Sequence, residues 1–161
     1  MDTAKVVYID SLFYGASAFN GDVSAWNTGC VVDMSGMFRG ASSFNGDVST
    51  WNTAEVIRMS DMFHGASSFK GDVSAWNTAK VVYMDYMFYD ASAFDGEVRC
   101  GCVGYMNYMF NGASSFNGNV SGWDTKNVLG NMLYNPKKRG RPPPHSFPGE
   151  KEEGEERIHL N

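Results

Sequence analysis

Val56-Ile57-Arg58-Met59-Ser60-Asp61-Met62-Phe63-His64-Gly65-Ala66-Ser67-Ser68-Phe69-Lys70-Gly71-Asp72-Val73-Ser74-Ala75-Trp76-Asn77-Thr78-Ala79-Lys80 is one turn of a pattern that runs through most of the chain. Its Met-Phe pair recurs at 37–38, 87–88 and 109–110, with Leu12-Phe13 as the earliest form. The phenylalanines of these pairs are 25, 25, 25 and 22 residues apart, and each is followed six residues later by another: Phe19, Phe44, Phe69, Phe94 and Phe116. Tryptophan follows at Trp26, Trp51, Trp76 and Trp123. A period of this length marks stacked units, each too small to bury its own apolar face.

The copies are unequal. In the fourth, Arg99-Cys100-Gly101-Cys102 replaces the Ser-x-Trp-Asn-Thr stretch and leaves it three residues short. The last copy fades after Val128. Asp2 to Asp10 nearly duplicates Asn77 to Asp85, so the sequence opens in mid-repeat, and it reads as a piece of a longer array. Residues 1–135 are expected to form a repeat solenoid of about five coils, with 136–161 a disordered Pro- and Glu-rich tail.

Within a coil the spacing Val56, Met59, Met62-Phe63 predicts a short helical or 3-10 turn with one buried face. Gly65, or Asp90 in the fourth copy, can end it in a left-handed conformation. Phe69 returns to the interior, and Gly71 makes the next corner. Asp72 to Trp76 is too short for a helix and leans to β, so it reads as a short parallel strand, closed by an Asn77-Thr78 turn. Val73 and Trp76, three apart, would then point to opposite faces of that strand. Stacking would bring Phe over Phe and Trp over Trp, with Asn27, Asn52, Asn77 and Asp124 as a polar ladder at one corner.

The run Met59-Ser60-Asp61-Met62-Phe63-His64-Gly65-Ala66-Ser67-Ser68-Phe69, with Asp72-Val73-Ser74-Ala75-Trp76-Asn77-Thr78 after it, resembles the BspA-like leucine-rich-repeat surface protein family, a bacterial surface repeat also known as domain of unknown function 285. The likeness covers residues 3–130 or so. It implies a leucine-rich-repeat-like fold, a place at the cell surface or outside the cell, and a role in adhesion or protein contacts. The family has no catalytic residues to carry over.

Composition narrows the function classes. Net charge is −5, divided as −6 over residues 1–135, +4 over 136–149 and −3 over 150–161. An acidic body is a poor surface for gripping nucleic acid. No stretch approaches 18 apolar residues, so no membrane span is expected, and Met1 to Asp10 lacks the pattern of a secretion signal. Three cysteines, Cys30, Cys100 and Cys102, do not describe a disulfide framework or a paired metal site. His64, His145 and His159 assemble into no nucleophile and base set, so no catalysis and no cofactor are expected. The acidic row Asp22, Asp47, Asp72 and Glu97, completed by Asn119, lacks the ligand density of a calcium loop and reads as solvated carboxylates. Asn119-Val120-Ser121 is a glycosylation sequon, relevant to a secreted chain.

Repeat proteins place specificity where residues vary at fixed register. Here these are Arg39, His64 and Tyr89 after the Met-Phe pair, and Thr50 and Ala75 before the tryptophan, facing a protein or glycan ligand. The competing feature is Pro136-Lys137-Lys138-Arg139-Gly140-Arg141-Pro142, similar to an AT-hook core and to a nuclear-localisation cluster. It would make the chain an intracellular, nucleic-acid-associated protein acting through Lys137, Lys138, Arg139 and Arg141, although Pro143-Pro144 stands where such hooks carry another basic residue. DNA binding through this segment would fall steeply with salt and vanish on Arg139→Ala with Arg141→Ala in a gel-shift titration. Binding that persists in that variant excludes the hook.

Overall fold

Apolar residues three apart, with two polar residues between them, set the local structure. The computed structural model describes residues 3–101, 103–120, 122, 123, 128 and 129. In the coil from Val56 to Lys80 four such pairs each close one turn, whereas Met59, three after Val56, donates its amide to Tyr83 of the next coil. The amide of Met62 donates to the carbonyl of Met59 at 3.3 Å, Ala66 to Phe63 and Phe69 to Ala66 at 3.0 Å, and Trp76 to Val73 at 3.1 Å. The flanking residues are buried, and the pair between them points out or lies half-buried. The described residues thus run as a succession of single turns and form no helix.

Neighbouring coils supply further backbone partners. Ile9, Ser11, Phe13 and Gly15 donate to the carbonyls of Asp33, Ser35, Met37 and Arg39 at 3.1, 2.8, 2.8 and 2.7 Å. Met34, Gly36, Phe38 and Gly40 repeat this one coil on, to Arg58, Ser60, Met62 and His64. Single parallel bridges join Tyr8, Asp33, Arg58, Tyr83, Tyr105 and Leu129 in succession. Parallel pairing therefore falls just before the first methionine. The strand expected at Asp72 to Trp76 is a turn instead, with Ser74 and Ala75 at its tip. That turn is why Val73 and Trp76 both point inward, at 2% and 3% exposure. The helical stretch expected from Val56 to Phe63 is one bridged residue followed by separate turns.

Two positions per coil take left-handed backbone. The second is Gly15, Gly40, Gly65, Asp90 and Gly112, as the glycine pattern suggests, with φ between 54° and 76°. The first is Ser11, Gly36, Asp61, Tyr86 and Tyr108, with φ between 53° and 61°. Side chains in this region cost on the order of 1–2 kcal/mol each.

The interior is a double column of phenylalanines. Within a coil the two rings stack face to face, 3.8 Å apart for Phe38 and Phe44 and 3.9 Å for Phe63 and Phe69. Between coils Phe38 meets Phe63 at 5.6 Å and Phe44 meets Phe69 at 5.9 Å. Trp26, Trp51 and Trp76 form a third column at 6.3 Å, and each indole N–H of Trp51 and Trp76 donates to the carbonyl of Val23 or Val48 below, at 3.0 Å. Such ring pairs contribute about 0.5–1.5 kcal/mol each beyond the area they bury.

Polar side chains bond along the stack as well. Buried Thr28 and Thr53 donate their hydroxyls to the carbonyls of Asn52 and Asn77 in the following coil, both at 3.0 Å. The expected asparagine ladder differs. Asn27, Asn52 and Asn77 each accept the amide two residues on in their own coil, at 3.0 to 3.1 Å, and Asp124 lies outside the described residues. The side chains that reach across are instead Asn20 and Asn45, which accept the amides of Asn45 and Lys70, both at 2.8 Å.

Gly71 serves clearance rather than a corner. A methyl group there would lie 2.6 Å from Cε2 of Phe69 and 2.8 Å from its Cζ, and Gly21, Gly46, Gly96 and Gly118 sit under their own phenylalanines in the same way. Gly71→Ala should therefore lower the unfolding free energy by about 1–3 kcal/mol in urea titration. Gly122→Ala, where an added methyl meets nothing within 4 Å, should change it by less than about 0.5 kcal/mol.

Candidate interaction face

With Met59, Met62 and Phe63 turned inward, the residues between them are left outside. Three columns result, exposed or half-buried except at the buried Gly36. The bridge column is Tyr8, Asp33, Arg58, Tyr83 and Tyr105. The left-handed column is Ser11, Gly36, Asp61, Tyr86 and Tyr108. Three residues further lies Tyr14, Arg39, His64, Tyr89 and Asn111, just before the second left-handed position. These columns hold seven of the chain's eight tyrosines, so the aromatic excess is concentrated here as well as in the core.

The side chains stack along the columns. Tyr83 and Tyr105 lie 5.1 Å apart and nearly parallel, and Tyr86 and Tyr108 5.5 Å apart. His64 packs 4.7 Å from Tyr89 and 6.5 Å from Tyr86, and Tyr86 lies 5.8 Å from Tyr89. Asp61 ties two coils together, accepting from Arg39 Nη1 at 3.1 Å and lying 2.7 Å from His64 Nδ1. The Arg39 guanidinium also lies over the Tyr14 ring at 5.7 Å, and that of Arg58 over Tyr83 at 5.6 Å. The rings of Tyr14, Tyr83, Tyr86, Tyr89, Tyr105 and Tyr108 are thereby held by a neighbour before any partner arrives, which lowers the entropy lost on binding.

Arg39, His64 and Tyr89, expected as variable positions, are brought together in one column. Thr50 and Ala75 lie elsewhere, exposed in the turn before the tryptophan, where the Thr50 hydroxyl donates to the carbonyl of Ser24 at 3.1 Å. The bridge and left-handed columns were not foreseen from sequence, although both vary from coil to coil as Arg39, His64 and Tyr89 do. Asn119 is exposed, while Ser121 of its sequon, Cys102 and the basic residues Lys137, Lys138, Arg139 and Arg141 lie outside the described residues.

The sequence profile of a family described as Mycoplasma protein of unknown function, DUF285, matches residues 1–100 and again 100–138. The chain belongs to this family. No curated protein and no solved structure matches it. The two matched segments of this DUF285 chain meet at Cys100, inside the shortened coil. Among the described residues no helix is long and apolar enough to cross a membrane.

The remaining titratable groups have local duties. Burial pushes the Cys100 thiol up, keeping it protonated and unreactive. Cys30 is exposed. Among the described residues no three His, Cys, Asp or Glu side chains gather as metal ligands would. In the acidic row each aspartate closes its own turn. Asp22 accepts the amide and hydroxyl of Ser24 at 2.9 and 2.7 Å, and Asp47 and Asp72 accept the amides of Ser49 and Ser74 at 2.9 and 2.8 Å. The Ser24 hydroxyl and amide hold Asp22 below the ordinary carboxylate value, and the amides and hydroxyls of Ser49 and Ser74 do the same for Asp47 and Asp72. A carboxylate more acidic folded than unfolded stabilises the fold above its unfolded value of about 3.9, and that contribution is lost as pH falls through the lower folded value. The melting temperature should therefore drop as pH is lowered from 5 toward 2. Asp22→Asn, Asp47→Asn and Asp72→Asn together should flatten that drop in a calorimetric pH series.

Proposed function

We propose that this chain is a non-catalytic, leucine-rich-repeat-like solenoid of the BspA-like surface type, and that its tyrosine-rich face binds a protein partner in adhesion at a cell surface. The observation that carries this reading is the backbone at Tyr86 and Tyr108. Both are bulky residues in the left-handed region, where the second coil has Gly36. Strain of this kind persists where the surrounding structure enforces it and is concentrated at functional positions. Glycine would serve the fold there, so the two tyrosines are kept for what their rings do outside.

The chemistry of the face supports a protein partner. Tyrosine offers a large, stiff and amphipathic contact surface, and tyrosine and arginine are the residues most enriched among binding hot spots. The face alternates ring edges with Arg39, Arg58 and His64, and each of these has an aspartate carboxylate within 3.8 Å. It lies on a frame whose core residues Met59, Met62, Phe63 and Phe69 are fully buried, so exchange of outward residues leaves the interior untouched.

Replacing Tyr86→Gly and Tyr108→Gly separates the two roles. Relief of the left-handed backbone offsets the lost ring contact, and stability should stay within about 1 kcal/mol of the parent. Beads coated with the full chain should adhere to cultured cells, and beads bearing this double variant with Tyr83→Ser should adhere at least about tenfold more weakly. Equal adhesion at matched melting temperature would exclude the tyrosine face as the binding surface.

A further inference from the structure

The fourth coil departs from its neighbours in one place, and a cleft opens there. The hydroxyl of Thr53 reaches the carbonyl of Asn77, and that of Thr78 reaches the carbonyl of Arg99 at 2.9 Å. Arg99 therefore occupies the Asn77 position, and Cys100 the buried threonine position. The three residues lost are the Ser-x-Trp turn itself. Register recovers at once: Val103 is fully buried in the column of Val31, Val56 and Val81. What does not recover is the indole column, which lacks a ring between Trp76 and Trp123.

Beside this gap lies a cleft of about 390 Å3 whose walls include Glu97, Arg99, Cys100, Asn119 and Trp123. The cleft is open to solvent, and Glu97 and Arg99 on its walls are exposed. Trp123 is half-buried, whereas Trp51 and Trp76 are buried at 4% and 3% exposure. Its indole N–H is fixed on the carbonyl of Val98 at 2.9 Å, so the ring is oriented. In the intact coils the acidic residue is spent on its own serine. Here that serine is deleted, the acid is the longer Glu97, and Arg99 stands two residues on. Among the described residues neither the Glu97 carboxylate nor the Arg99 guanidinium has a hydrogen-bond or ion-pair partner.

We propose that this cleft binds a single sugar ring. A pyranose presents an apolar C–H face and a polar edge, and the cleft offers an oriented indole beside a free carboxylate and a free guanidinium. The carboxylate accepts two hydroxyls, the guanidinium donates to ring or hydroxyl oxygen, and the indole covers the C–H face. Cys100 closes the inner wall as an apolar, protonated thiol. A flat aromatic ligand would use the indole but leave both charges unpaired. The site is separate from the tyrosine face and stands or falls apart from it.

The test is saturation-transfer NMR on the full chain with glucose, galactose, mannose and N-acetylglucosamine as probes, and free indole as a comparison. Transfer to the ring C–H protons of at least one sugar is expected. Trp123→Ala should abolish it, Glu97→Gln should weaken binding at least fivefold without changing the circular dichroism spectrum, and Tyr86→Gly with Tyr108→Gly should leave it unchanged. No transfer to any of the four sugars, transfer to indole alone, or sugar transfer that survives both Trp123→Ala and Glu97→Gln overturns the proposal.

Discussion

Each coil is organised around two phenylalanine rings pressed face to face, and most other features follow from where those rings must lie. The Phe63 and Phe69 rings are 3.9 Å apart. Stacking them so tightly requires the chain to turn back within six residues, and two consecutive turns through Ala66 do this. The Cε2–Cζ edge of the outer ring then lies against Gly71, where there is no space for a methyl group. Phe, small Ala, Phe and bare Gly are thus one steric unit. Because every coil has the same unit, the rings of neighbouring coils fall into register 5.5 to 6.1 Å apart. Register between coils is fixed by shape before any outward side chain is involved.

The backbone adds direction to this register. In the Met-Phe turn the amides of alternate residues point to the following coil and are met there by carbonyls. Left-handed backbone at two positions four residues apart in each coil accompanies this pattern, and both left-handed amides of the third coil, Asp61 and Gly65, donate to the following coil. Glycine meets that demand at the second position in four coils of five, but the first position carries serine, aspartate or tyrosine in four of five. The fold requires the conformation but leaves the residue open, and the chain has taken the costlier choice where the side chain faces outward.

Periodicity made the interior legible. Residues at fixed register and apolar in every copy could be assigned to a core from spacing alone, and the Phe and Trp columns lie where the spacing put them. What was illegible is local. Val73 and Trp76 favour strands, and propensity made their segment β, yet Ser74-Ala75 between them turns the chain and the 3.1 Å bond from Trp76 to Val73 closes it. Conversely, the true parallel bridge passes through Tyr8, Asp33, Arg58, Tyr83 and Tyr105, where aspartate and arginine interrupt the β-leaning tyrosines. Pairing there comes from the coil below, and a single sequence does not display that. The outward face was half legible: variation marked Arg39, His64 and Tyr89, but its companion columns became visible only once three-residue turns placed them alongside.

The shortened coil shows how such a stack tolerates damage. Losing three residues would shift every later column if register were counted along the chain. It is not, because each Met-Phe unit finds its own place on the unit before it: Phe88 meets Phe110 at 5.6 Å across the deletion, no farther than across intact coils. The loss is confined to the turn that was removed, where an indole is missing and the Glu97 carboxylate is left without the serine that holds the aspartate in intact coils. A fold held by contacts between successive units can therefore change one corner without disturbing the rest, and a changed corner differs chemically from anything its repeat encodes.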